Sequence, residues 1–289
     1  MSCETFWPKG FRRRFCCATY RRLILWLTLF LIASCATAPV TGRRQLILID
    51  PQTEMRLGLQ AYEEILKEVK LCRDPVVDGM VEQVGRRIAK ATGKHYDWEF
   101  KVIDDPKTIN AFCLPGGKVF VYTGILPLVK NEAGLATVLG HEIGHAIARH
   151  GAERMSLGLM AAFGEVLLAE MLDLKNQTTK RIFLTAYGLG ATVGLILPYS
   201  RKQEFEADTI GLYLMAKAGY DPREAIAFWK RMLEVSKGRP RPPAFLSTHP
   251  PDEARIKHLE ELLPQVLPIY ESAPHKYGRG REIPKPHCS

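Results

Sequence analysis

Residues 138–150 read VLGHEIGHAIARH, and no other stretch constrains the fold as tightly. His141 and His145 are four positions apart. On an α-helix that is about one turn, roughly 40° of offset and about 6 Å of rise, so both imidazoles can reach one ion from one face. Val138, Leu139, Ile143, Ala146 and Ile147 supply apolar packing around them. The chain must therefore form this helix, bury it and bring further ligands to it. Glu142 sits beside a ligand but off the line joining the histidines, where a carboxylate can take a proton from a water activated by the ion. Two imidazoles point to zinc, which needs a third protein ligand and an open position.

His150 lies five positions beyond His145. On a continuous helix that is about 140° further round, so it points elsewhere and reads as a residue near the negative helix end. The metzincin extension is excluded, because it needs glycine at 148 and histidine at 151 where the chain has Ala148 and Gly151. The best source of the third ligand is YSRKQEFEADTIGLYL (199–214). Glu204 and Asp208 are four apart and share one helical face, whereas Glu206 points off it. Glu204 is assigned to the metal. Asp208 is assigned to the outer N–H of a ligand histidine, where it fixes tautomer and basicity. A solvated acidic cluster beside Arg201 and Lys202 is the alternative.

The formal charge of +9 suggests nucleic acid, but its distribution does not. Six basic residues against Glu4 place +5 of it in the first 22 positions, and no basic stripe with interleaved aromatics follows. Nucleic-acid binding is excluded on that ground. The basic leader precedes LILWLTLFLIA (23–33), which is short for a membrane span and suited to a signal h-region. Ile32-Ala33-Ser34-Cys35 resembles a bacterial lipobox, which implies cleavage before Cys35, lipid attachment there and a stable membrane anchor. A short uncleaved anchor, or an ordinary signal with a chance cysteine, is the alternative. Cys72, Cys113 and Cys288 would remain, an odd number that implies no disulfide framework. A Cys72–Cys113 bridge is one pairing they allow.

After an extended tether to residue 52, helical patterns cover 53–71, capped by Thr53, and about 75–91. Strands are expected at 98–103, 110–114 and 118–123, the last two joined by Pro115-Gly116-Gly117. They form a small antiparallel sheet. Helices then follow at about 132–150, 200–218 and 221–236, with a final one after STHPPDEAR. Two apolar segments, 155–172 and 182–198, read as buried or lid helices, since one carries Glu165 and Glu170 and the other is short. The proline-rich, basic tail is expected to pack poorly. The division is a signal peptide (1–34), a lipidated tether (35–52), one catalytic domain (53–266) and a flexible tail (267–289). The fold class is α+β, mostly helical.

HEIGH, SRKQEFEAD and STHP, in this order after NAFCLPGGKVFVYTGIL, resemble metallopeptidase family 48 over about residues 41–263. That family includes HtpX-like and CAAX-prenyl-protease-like zinc endopeptidases and a periplasmic LoiP/BepA-like branch. The resemblance implies a zincin-like (gluzincin) scaffold, one zinc ion per chain and endopeptidase activity. It agrees with Glu204 as third ligand and Asp208 behind it. It also implies that His249 of STHP lies near the zinc and assists the transition state or regulates access. The strand at 118–123 resembles the edge along which such enzymes align peptides. The helical repeats of BepA-like proteins are not expected in this chain. The expectation is a lipid-anchored enzyme on the periplasmic face of a bacterial outer membrane, cleaving misfolded or misassembled envelope proteins. The alternatives are a latent protease and a chaperone-like zinc protein with little proteolysis.

Overall fold

A computed structural model describes residues 35–163, 176–187, 200–237, 244–278 and 280–288. The expected signal peptide and the distal parts of both apolar segments lie outside these residues. Among the described residues no helix is long and apolar enough to cross a membrane.

The expected tether is instead a short antiparallel hairpin of β1 (Cys35–Thr37) and β2 (Arg44–Leu46). Asp-Pro pairs then start α1 (Pro51–Glu68) and α2 (Pro75–Thr92). Asp50 and Asp74 accept from the first backbone N–H groups, and each proline sits where no helical donor is needed. Asp50 thus takes the role expected of Thr53.

A three-stranded sheet follows, with β3 (Glu99–Ile103), β4 (Ala111–Leu114) and β5 (Lys118–Tyr122) in the order β3-β5-β4. β4 and β5 form the expected antiparallel pair, turned by Gly116 and Gly117 at φ 81° and 86°. β5 inserts between β4 and β3 and runs parallel to β3. The sheet is therefore mixed, and β5 is its centre rather than an edge. Val119, Phe120 and Val121 have no solvent exposure, as a strand covered on both faces requires.

A 3₁₀ turn (Thr123–Ile125) leads to α3 (Leu126–Val129), α4 (Glu132–Ile147), α5 (His150–Phe163) and α6 (Gln177–Ala186). The rest is α7 (Ser200–Lys217), α8 (Arg223–Ser236), α9 (Ala244–Thr248) and α10 (Glu253–Ser272). Every residue of α4 except Ala146 is buried, so α4 is the central helix of the core. It lies against α7 with almost nothing between the backbones. A Cβ on Gly140 would come 3.1 Å from the carbonyl oxygen of Gly211, and one on Gly144 would come 3.0 Å from that of Ala207.

The helix expected to run to 150 ends at Ile147. Arg149 has φ 57°, which no right-handed helix accommodates. Its guanidinium donates to Glu54 Oε2 (2.7 Å) and to the Ile49 carbonyl (2.8 Å), and these bonds hold the turn. His150 therefore begins a new helix in a new direction.

The tail is not loose. Pro264 and Pro268 lie inside α10 rather than ending it. Beyond it, Tyr277 donates its N–H to the Gly219 carbonyl, Ile283 donates to that of Lys130, and Glu132 at the start of α4 donates to that of Arg281. The His287 N–H reaches Asp74 Oδ2 at 2.8 Å, and Cys288 is disulfide-bonded to Cys72. Cys113 is left as a buried free thiol, so no Cys72–Cys113 bridge forms.

A methyl group at Gly211 would meet Gly140 C and His141 N at 2.9 Å and force the central helices apart. Gly211→Ala is expected to cost about 1–3 kcal/mol by overpacking. Gly79→Ala on α2, where a Cβ meets nothing within 4 Å, should instead gain about 1 kcal/mol. Thermal melts of the two proteins should shift in opposite directions.

Candidate metal centre

The close approach of α4 and α7 sets His141, Glu142 and His145 against Glu204 and Asp208. His249, just beyond α9, closes the group. All six are buried, none more than 6% exposed. His141 Nε2 lies 3.0 Å from His145 Nε2, and the Glu204 oxygens lie 3.2 Å from each. A tetrahedral ion with bonds of about 2.0 Å places its ligand atoms about 3.3 Å apart. The donor set therefore fits zinc in spacing and in chemistry. His249 Nδ1 is 3.1 Å from His141 Nε2 and 2.9 Å from Glu204 Oε2, so four donors surround one point.

Burial and neighbouring charges set the ionisation of each member of the cluster. Burial lowers the His141 pKa, but hydrogen bonds and charge from Asp208 and Glu204 outweigh it and leave it raised to about 9. Burial raises Glu204, yet His249, His145 and Arg255 hold it well below the ordinary carboxylate range. Burial drives His145 well below the usual imidazole value, which leaves a lone pair free to bind. Glu142 is raised by burial, and its Oε1 has no aligned donor.

Asp208 Oδ1 lies 2.9 Å from His141 Nδ1 on the far side of the ring. Both its oxygens are clasped by Arg255 at 2.7 Å. Arg255 also lies 3.2 Å from Glu204 Oε2 and stacks 3.6 Å over the Trp229 ring. Arg255 escaped the sequence reading, as did His150, Glu206 and Arg43. The turn at Arg149 swings His150 back until its Nδ1 is 2.9 Å from the outer nitrogen of His145. His150 is not 140° round from His145, because the helix breaks at Arg149. Glu206 does point away from the ligand face, but toward His150.

A cavity of about 20 Å³ adjoins the cluster, lined among others by Cys113, Glu142, His145, Arg154, Tyr187 and His249. Burial and the Glu142 charge raise the Cys113 thiol, so it is inert.

A family model, "Peptidase family M48", matches residues 75–263. The chain belongs to that family. Metallopeptidase chemistry with zinc, the expectation from HEIGH, SRKQEFEAD and STHP, is borne out at the level of the M48 family. Among its relatives, a mitochondrial metalloendopeptidase OMA1 of Schizosaccharomyces pombe is 41% identical over 79% of this chain and 66% of its own length. The human OMA1 metalloendopeptidase, also mitochondrial, is 33% identical over 86% of this chain and 49% of its own. The Escherichia coli β-barrel assembly-enhancing protease is more distant, at 29% over 75% and 45%. The chain thus spans between about half and two thirds of the length of these M48 relatives. The mitochondrial relatives overturn the bacterial periplasmic outer-membrane location and the LoiP/BepA-like branch. Cys35 opens β1, and no lipid anchor is shown.

Glu204→Ala is expected to lose stoichiometric zinc on metal analysis after dialysis. Asp208→Ala should keep the site but weaken it about 10–100-fold in a chelator competition.

Proposed function

We propose that the chain is a zinc-dependent endopeptidase that cleaves extended segments of misfolded or misassembled proteins. The carrying observation is the four-donor cluster with the buried Glu142 carboxylate beside it. In this reading His141, His145 and Glu204 hold the ion. Zinc held there supplies a Lewis acid and brings a water's pKa near neutrality. Glu142, buried beside the cluster, would accept a proton from the attacking water and return it to the leaving amine. Its burial favours the protonated form, which suits the second transfer. Asp208 and Arg255 keep His141 in the tautomer that leaves Nε2 free. The outer strand β4 replaces β5 as the proposed guide for substrate. Cys113 on β4 lines the same cavity as Glu142, so a peptide paired along β4 would pass the cluster. Backbone pairing binds without strict sequence preference, which suits unfolded clients. The relatives' names support a mitochondrial setting and a connection with protein assembly.

One observation favours a latent state. His249 already fills a fourth donor position, and the adjoining cavity admits only a water-sized group. His249 would have to swing out before a peptide carbonyl could enter.

Glu142→Gln should retain zinc and lose at least about 100-fold in casein turnover. Undiminished turnover in a clean preparation would reject the assignment, and casein cleavage by the wild type that ignores chelators would reject zinc proteolysis itself. His249→Ala is expected to raise turnover; no change, or a loss, would count against latency.

A further inference from the structure

A second polar chain leaves the cluster from the other helix imidazole, His145. It runs from His145 through His150 and Glu206 to Arg43 of the N-terminal hairpin. His145 Nδ1 and His150 Nδ1 are 2.9 Å apart. Two ring nitrogens at that distance bond only when one carries the hydrogen and the other does not. His145 Nε2 faces His141 and Glu204, where its lone pair is needed for the ion. Its hydrogen is therefore on Nδ1, and His150 Nδ1 must accept. Neutral His150 then carries its own hydrogen on Nε2, which points at Glu206 Oε2, 2.9 Å away.

Glu206 is anchored in turn. Arg43 Nε donates to its Oε2 at 2.6 Å, and the Thr41 hydroxyl donates to its Oε1. The terminal nitrogens of Arg43 clasp Glu153 at 2.9 and 2.7 Å, and Gln203 donates to the same carboxylate at 2.7 Å. One placement of hydrogens satisfies the whole chain. His150 has no solvent exposure, so no water can replace it as acceptor.

We propose that His150, oriented by Glu206 and Arg43, is a positioning residue that fixes the tautomer and ring plane of His145. The hairpin of residues 35–46 is by this route a working part of the metal centre. Thr41 and Arg43 lie a hundred residues before the ligand they steady. The inference rests on the zinc reading and deepens it, since it names what holds the second imidazole as Asp208 holds the first.

The test uses the full chain with Zn²⁺ or Co²⁺ alone as probe. His150→Phe keeps the ring's bulk and removes the acceptor. His150→Asn keeps an acceptor, because its Oδ1 can stand where Nδ1 stood. His150→Phe should raise the Zn²⁺ dissociation constant about 10–100-fold and shift the visible absorption bands of the Co²⁺ protein. His150→Asn should restore most of the affinity and the wild-type bands. Arg43→Met, at a partly exposed side chain, should move affinity and bands in the direction of His150→Phe. Equal losses in His150→Phe and His150→Asn would make the role one of packing and overturn the inference. So would wild-type affinity and bands in either His150→Phe or Arg43→Met. Failure of the wild type to bind one ion per chain would bring down the zinc reading as well, which separates the two.

Discussion

The contact between α4 and α7 is made by backbones, because Gly140 and Gly144 face Gly211 and Ala207 with no side chain between them. At that separation, imidazoles on one helix and carboxylates on the other arrive at ligand distance rather than across a layer of apolar packing. Larger residues at these positions would keep both motifs intact in sequence and still separate their atoms beyond the reach of one ion. The glycines therefore do as much for the site as the ligands do. They also explain why α4 is buried almost all round: a helix approached this closely on one side has sheet and helices covering the others.

Burying six titratable groups at one point is expensive unless each has a partner. The partners here form two arms. In one, Asp208 lies 2.9 Å from the outer nitrogen of His141 and is itself neutralised by Arg255. In the other, His150 meets His145, and Glu206 with Arg43 completes the line. Each arm ends in a guanidinium, whose fixed fork suits a buried carboxylate better than an ammonium would. The arms differ in reach. Arg255 comes from the segment that also carries His249, whereas Arg43 comes from the opposite end of the chain.

Periodicity made much of this legible. Helical spacing found the two imidazoles, put Glu204 with Asp208 on one face, and turned Glu206 away from it. The Pro-Gly-Gly signal located the β4–β5 turn because it is a local backbone preference, whereas the Asp50-Pro51 start of α1 was passed over for Thr53. What stayed hidden depends on partners distant in sequence. No local pattern shows that β5 inserts beside β3, that Cys288 returns to Cys72, or that the tail caps α4 through Arg281 and Glu132. The proline-rich stretch read as a poorly packed tail because the cost of a proline is local, while the burial of Val266 and Tyr270 that offsets it is not. His150 was misplaced for a different reason. Arg149 carries no glycine-like signal of a left-handed residue, and only its bonds to Glu54 and Ile49 make the turn.

That turn joins the site to the rest of the chain. Without it α4 would continue, His150 would face away, and the N-terminal hairpin would have nothing at the metal centre to hold. With it, the donor cluster and the groups behind it come from residues 141–150, 204–208 and 249–255, steadied by 41–43 and by Glu54 through Arg149. Because these segments meet only when the domain has packed, the ligand atoms converge only in the folded state. Binding free energy at such a site adds to folding stability. By the same linkage, any movement that undocks the hairpin or shifts α9 must alter the hold on the ion. Access to the centre and stability of the fold are in this molecule governed by the same contacts.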